Sequence, residues 1–282
     1  AKDVESRGFD TLWLPNIFGV DAVGTCAILG WETDHIELGT AVTPTYPRHP
    51  AALAQQALTT QVACSDRFAL GIGLSHQLVI EGMFGMSYEQ PAKHMAEYLQ
   101  VIAPLLRGEA VDFEGEQLTG KLSLSIHEAG EVPLLVAALG PAMLKLAGTY
   151  SHGTTTWMTG PKTIHDHIIP HISAAAEEAG KPAPRIVCGL PICLTDDADA
   201  TRAKIAEDLS VYGMLPSYRA MLDKEGVEGP ADLAIVGDEA HLREAIQGLR
   251  DAGVTDLNAA VIAPPGGSVD ETIALLQSEL PV

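Results

Sequence analysis

Residues 36–76 read IELGTAVTPTYPRHPAALAQQALTTQVACSDRFALGIGLSH, and the fold turns on this stretch. Residues 36–42 form an apolar, β-prone run that ends at Thr43 and Pro44. Residues 50–61 are Ala-rich and open on Pro50, which suits the first turn of a helix. Residues 67–74 form a second apolar run, ending at Ser75 and His76. Two buried strands flanking a helix make a parallel βαβ unit. Ligands in such units sit at the carboxyl ends of the strands. Here those tips are residues 40–43 and 73–76, and most of the functional expectation rests on them.

The alternation continues outward in both directions. Upstream, residues 1–8 read as the end of a helix closed by Gly8, residues 9–16 as a buried strand and residues 21–31 as a helix. A barrel repeat starts with its strand, so a first strand is expected to precede Ala1. Downstream, residues 78–91 show no period and read as a loop over the barrel mouth. Residues 92–106 place Met95, Tyr98, Leu99, Ile102, Leu105 and Leu106 on one helical face. Residues 111–126, punctuated by Gly115 and Gly120, read as an inserted β-hairpin. Further strands are predicted at 132–138, 153–158, 185–194, 233–236 and 254–262. Helices are predicted at 142–150, 161–179, 197–212, 216–224 and 242–252, and Ser268 to Glu271 reads as a capping box for the last one. Such alternation means a parallel sheet covered by helices. An open doubly wound sheet is the competitor, but no G-x-G-x-x-G follows a strand. The expected fold is a single (β/α)8 TIM barrel over residues 1–282 with a hairpin insertion.

Composition limits the function. The formal net charge is −20, which argues against nucleic acid, whose phosphates demand a basic footprint. No apolar run is long enough for a membrane span, and no signal peptide is visible. Cys26, Cys64, Cys188 and Cys193 form no C-x-x-C pair, so they read as reduced, buried thiols of a cytoplasmic protein.

Four segments carry a resemblance: LGTAVTP at 38–44, RHPAALAQQALTT at 48–60, DRFALGIGLSH at 66–76 and ALGPAMLKLAG at 138–148. They resemble the bacterial luciferase-like superfamily and, within it, the deazaflavin-dependent oxidoreductases that use coenzyme F420. The resemblance runs along almost the whole chain. It implies hydride transfer between C5 of F420 and a small organic substrate; a homodimer is also expected. An FMN-dependent monooxygenase of the same superfamily is the alternative. A cofactor-binding protein without turnover and a metal-dependent barrel hydrolase are the readings from other classes.

The candidate residues follow. In the resembling enzymes the segment matching Thr40, Ala41 and Val42 carries a bulge with a non-prolyl cis peptide behind the cofactor ring, which falls at Ala41–Val42 here. Gly39 and Ala41 leave room for a flat ring. Ser75 and His76 end the next strand, and His76 is the expected catalytic donor to a substrate carbonyl or to the ring. Leu139, Gly140 and Pro141 open a helix whose free amides suit a phosphate, with Lys145 one turn in. Gly237 before Asp238 is a second such terminus, although Asp238 reads as an N-cap. Asn16 ends a strand and is expected to reach the ring. Arg48, His49 and Trp157 stand near other tips. His165, His167 and His171 look like a metal cluster, but no acidic ligand completes it and Pro170 interrupts it. They read as a solvated helix face, and no metal is expected.

Overall fold

The computed structural model describes residues 1–280. A short helix, α1 (Lys2–Ser6), leads through Gly8, at φ +84°, into β1 (Thr11–Leu14). Helix α2 (Ala22–Trp31) starts where Asp21 accepts a hydrogen bond from Gly24 N–H. Strands β2 (Glu37–Thr40) and β3 (Thr43–Pro44) are two halves of one stave separated by a bulge. Helix α3 (Pro50–Ala63) follows, capped by the His49 ring accepting from Ala51 N–H. Then come β4 (Phe68–Gly73), α4 (Gln77–Gly82) and α5 (Pro91–Leu106). The expected hairpin is β5 (Val111–Glu114) with β6 (Thr119–Leu122), paired antiparallel.

Strand β7 (Leu134–Ala137), helix α6 (Pro141–Tyr150) and strand β8 (Gly153–Trp157) continue the repeat. Next come α7 (Pro161–Thr163), a π-helical turn (Ile164–Ile168) and α8 (Ile169–Glu178). Strand β9 (Arg185–Leu194) precedes α9 (Ala198–Asp208), α10 (Ser210–Met214) and α11 (Pro216–Glu225). Strand β10 (Ile235–Gly237), helix α12 (Glu239–Asp251), strand β11 (Asp256–Val261) and helix α13 (Asp270–Ser278) end the chain.

The sheet is parallel and runs β1-β2-β4-β7-β8-β9, with β11 paired along β9 and the short β10 beside the last residues of β9. It curls until β9 and β2 face each other. The Arg185 guanidinium, at the start of β9, reaches Glu37 at the start of β2 at 2.7 Å. The same side chain also binds Asp256 at the start of β11 and lies 5.2 Å over the Trp13 ring of β1. The result is a nearly closed barrel. Among the described residues nothing pairs with the outer edges of β1 and β11, and both strands are only half-buried, whereas every residue of β4 is buried. Leu38, Phe68, Leu70, Ile72, Leu134, Val136 and Ile186 are buried and, with the inner faces of α3, α5 and α6, form the core.

Local departures from expectation have local causes. Residues 78–82, expected as loop, fall in α4; a six-residue helix with one buried residue, Ile80, is too short to show a period. The helix expected over 161–179 contains the π turn. Pro170 has no N–H and its ring would clash four residues back, and here Ile169 N–H reaches Ile164, five residues back. Residues 233–236 divide between a 3-10 turn (Pro230–Leu233) and β10. The capping box does not form: Ser268 Oγ accepts from Asp270 N–H, one residue too early, and α13 has no side-chain cap.

Candidate active site

Every strand of the parallel sheet points its carboxyl end at one mouth. The bulge between β2 and β3 is built there. Thr40 is fully buried, and its hydroxyl donates to Gly71 C=O at 2.8 Å while accepting from Gly71 N–H at 3.0 Å. One side chain thereby replaces a rung of strand pairing. The peptide Ala41–Val42 is cis, at the position the resemblance implies, and the chain rejoins β4 at Thr43 opposite Ile72. Val42 packs over β4. A Cβ on Gly73 would sit 2.7 Å from Val42 Cγ2, and one on Gly71 would run into the Thr40 carbonyl, so both glycines are required by close approach. Ala41 and Val42 remain half-exposed and offer a small apolar wall.

His76 lies directly beyond β4, at the N-cap of α4, half-buried. Burial lowers its pKa, so the ring is neutral near pH 7. The tyrosines around it were not singled out from the sequence. Tyr218 lies 5.9 Å from His76 by ring centroids and Tyr212 lies 6.4 Å away, edge-on. Tyr212 in turn meets Tyr218 at 5.0 Å and Trp157, at the tip of β8, at 6.2 Å. On the other side Tyr88 donates to Ser75 C=O at 3.2 Å and stacks on Tyr46, which stacks on His94 at 4.0 Å. Ser75 itself has φ +60°. Burial raises the phenol pKa values, that of Tyr46 to about 12, so these hydroxyls are neutral donors. The chain has six tyrosines, and Tyr46, Tyr88, Tyr212 and Tyr218 all fall in segments that follow strands. That placement was the available signal.

Buried polar groups are nearly always hydrogen-bonded. Among the described residues four buried side-chain atoms are not, and three of them, Thr43 Oγ1, Tyr46 Oη and Trp157 Nε1, belong to residues at strand tips.

The helix terminus at α6 is open. Gly140 is its N-cap, no side chain caps it, and a Cβ there would meet nothing within 4 Å. The loop is fixed from behind, where His167 Nε2–H donates to Leu139 C=O at 2.9 Å. His167 is therefore buried rather than part of a solvated face, because the π turn directs it inward; His165 stays exposed beside Asp166. Among the described residues no group of His, Cys, Asp or Glu could hold a metal ion. Lys145 lies in a groove with Pro141, His171 and Glu178, 4.0 Å from the Glu178 carboxylate. Asn16 Oδ1 accepts from Ala22 N–H and fastens the loop after β1 to α2. Gly237 is buried, and Asp238 caps α12 through His241 N–H. Arg48 is paired with Asp21, and His49 bonds Thr119 C=O of the hairpin.

The model of the luciferase-like monooxygenase family matches residues 1–256. The chain is 31% identical over 239 residues, 84% of its length and 72% of the relative's, to the 5,10-methylenetetrahydromethanopterin reductase of Methanolobus tindarius. It is 30% identical over 260 residues, 87% and 75% of the two chains, to the F420-dependent glucose-6-phosphate dehydrogenase of Nakamurella multipartita. Its fold matches that of an F420-dependent secondary alcohol dehydrogenase solved with an F420-acetone adduct, with TM-score 0.83 and 20% identity over 99% of this chain and 91% of that one.

Proposed function

The chain belongs to the luciferase-like monooxygenase family, and from that premise we propose that it is an F420-dependent oxidoreductase acting on a small organic substrate. The observation that carries the reading is the bulged tip of β2 laid over Gly71 and Gly73 beside His76. A flat heteroaromatic ring needs a wall without projecting side chains, and Ala41 and Val42 offer one. The uncapped α6 terminus fits a phosphate: free amides and the helix dipole supply local positive charge in a chain of net charge −20. When bound, F420 supplies a hydride centre at C5 of its deazaflavin ring. His76, neutral and half-buried, donates a hydrogen bond to the substrate oxygen or to the ring. Tyr212, Tyr218 and Trp157 hold the substrate against the wall and exclude water.

No helix among the described residues is long and apolar enough to cross a membrane. The four cysteines are free and buried, which supports a reducing, cytoplasmic setting. We read the assembly as a homodimer through α2 and α3. Neither helix carries a charged residue, yet Ile28, Trp31 and Val62 are exposed on them. Interface cores are depleted of charge and rich in aromatics in this way.

The test is a fluorescence titration of F420 and of FMN on the parent chain and on Gly140→Val. F420 binds the parent, and Gly140→Val, at an unstrained φ of −84°, weakens it by about 1–3 kcal/mol, the scale of hydrogen bonds to a charged group. Tight FMN binding without F420 binding overturns the cofactor. Unaltered F420 affinity in a folded Gly140→Val moves the phosphate away from α6.

A further inference from the structure

The mouth has a chemical character that no mechanism step requires. Its loops are rimmed by exposed apolar side chains. Phe18 and Val20, 64% and 72% exposed, stand on the loop after β1. Met83 and Phe84 stand on the segment after β4, and Met214, 74% exposed, ends α10. Inside this rim lie His76, Trp157, Tyr212 and Tyr218, with no lysine or arginine among the aromatic contacts. The arginines on these loops are already committed. Arg48 pairs with Asp21. Arg202 donates to the carbonyls of Ala231, Ala234 and Val236. Arg219 binds Asp223 and the carbonyls of Val227 and Glu228. Lys162 and Lys224 are exposed on α7 and α11.

Burying an anion without a paired cation is costly, whereas an apolar ring gains from aromatic walls. Large apolar side chains held exposed on the loops around a candidate site are what a bound apolar ring would cover. The overall negative charge repels an anionic substrate further. Resting on the oxidoreductase reading above, we propose that the substrate is an uncharged molecule with an aromatic or alicyclic ring body, its polar oxygen directed at His76. Trp157 Nε1, buried without a hydrogen-bond partner, is a further donor at that wall beside the Tyr212 and Tyr218 hydroxyls. Phosphorylated and carboxylated substrates are disfavoured, because the arginines on these loops are committed and Lys162 and Lys224 stand in solvent rather than in the aromatic wall.

The experiment uses the full chain with F420 present and measures calorimetric affinity for two probes of one skeleton, 2-naphthol and 2-naphthyl phosphate. 2-Naphthol binds at least about tenfold more tightly, because the phosphate ester must desolvate its charge unpaired. Tyr212→Ala weakens 2-naphthol several-fold. Met214→Lys, at an exposed position, narrows the preference by placing an ammonium at the rim. Equal or tighter binding of the phosphate ester overturns the proposal, as does binding of neither probe. A preference indifferent to both substitutions overturns it as well, since the ligand then lies elsewhere. F420 affinity is measured separately in the same samples. Selective naphthol binding without F420 binding removes the cofactor reading and leaves the aromatic pocket standing.

Discussion

The two ends of the barrel are made from the same strands and treat polar groups in opposite ways. At the amino ends, Arg185 is fully engaged: it bonds Glu37 and Asp256, reaches Thr11 Oγ1 and covers Trp13. At the carboxyl ends, Thr43, Tyr46 and Trp157 each leave a buried polar atom without a partner, and His76 sits among aromatic rings. The Arg185 arrangement stabilises the fold and leaves none of its own groups free, although Arg67 Nε, just before β4, is a buried atom without a partner at the same end. The second gathers three unpartnered buried polar atoms at one face. The difference matches the general division of labour in (β/α)8 barrels, where the carboxyl face carries function and the amino face stability.

Substitutions that act at only one end test that division. The largest effect is expected from His76→Ala. Turnover falls by about 10²–10⁴, the range for removing a general acid or base, while the melting temperature stays close to the parent's. Because burial lowers the His76 pKa, the neutral ring persists on acidification, and the acid limb of kcat/KM lies below the ordinary histidine value of about 6.5. Unchanged kcat and KM would return His76 to a structural role and erase the contrast.

Arg185→Met is the mirror image. It leaves Glu37 and Asp256 without their shared cation, and since these side chains keep a fifth to a quarter of their exposure, the expected loss is about 2–4 kcal/mol, below the figure for fully buried pairs. Denaturant unfolding reads the loss, and turnover per folded molecule is unchanged. A variant that stays stable but loses activity would show that the two ends are coupled.

The smallest effect belongs to Glu97, on the side of the barrel. Its buried carboxylate accepts from the backbone N–H groups of Glu116, Gln117 and Leu118 and so pins the hairpin turn to α5. Burial pushes its pKa up, but those bonds outweigh burial and hold it below the ordinary value. A depressed carboxylate stabilises the fold above its unfolded pKa, near 4.3, and that stabilisation disappears as pH falls through the lowered folded value. Glu97→Ala therefore costs about 1–3 kcal/mol at neutral pH, with the gap from the parent closing in acid. Thermal melts between pH 7 and pH 2 check it; a gap that widens in acid would reverse the assignment.

The staves were legible in the sequence because each is a short apolar run followed by a helix. Residues 66–76 also exposed the tip where His76 lies. The π turn could not be read, because Pro170 announces a disturbance without specifying its form. Helix α4 is too brief for periodicity. The tyrosines were hidden for another reason: Tyr46 and Tyr88 on one side, and Tyr212 with Trp157 on the other, come from different parts of the chain, and only the curled sheet brings each pair together. For Lys145, spacing along the helix located the residue but not its direction; across the groove it faces Glu178. Thr40 looked like a small residue at a strand exit, and its hydroxyl proves to be part of the sheet.

The Arg185 bridge also sets an order in time. It joins residues 148 and 174 positions apart in the chain, and contacts of such separation form late. At roughly 5–20 residues per second of synthesis, Glu37 waits on the order of 10 s for its cation to be made. Until β9 is made, β8 has no partner on its outer edge and the sheet cannot complete its curl, so that edge stays open to a chaperone or a neighbouring nascent chain.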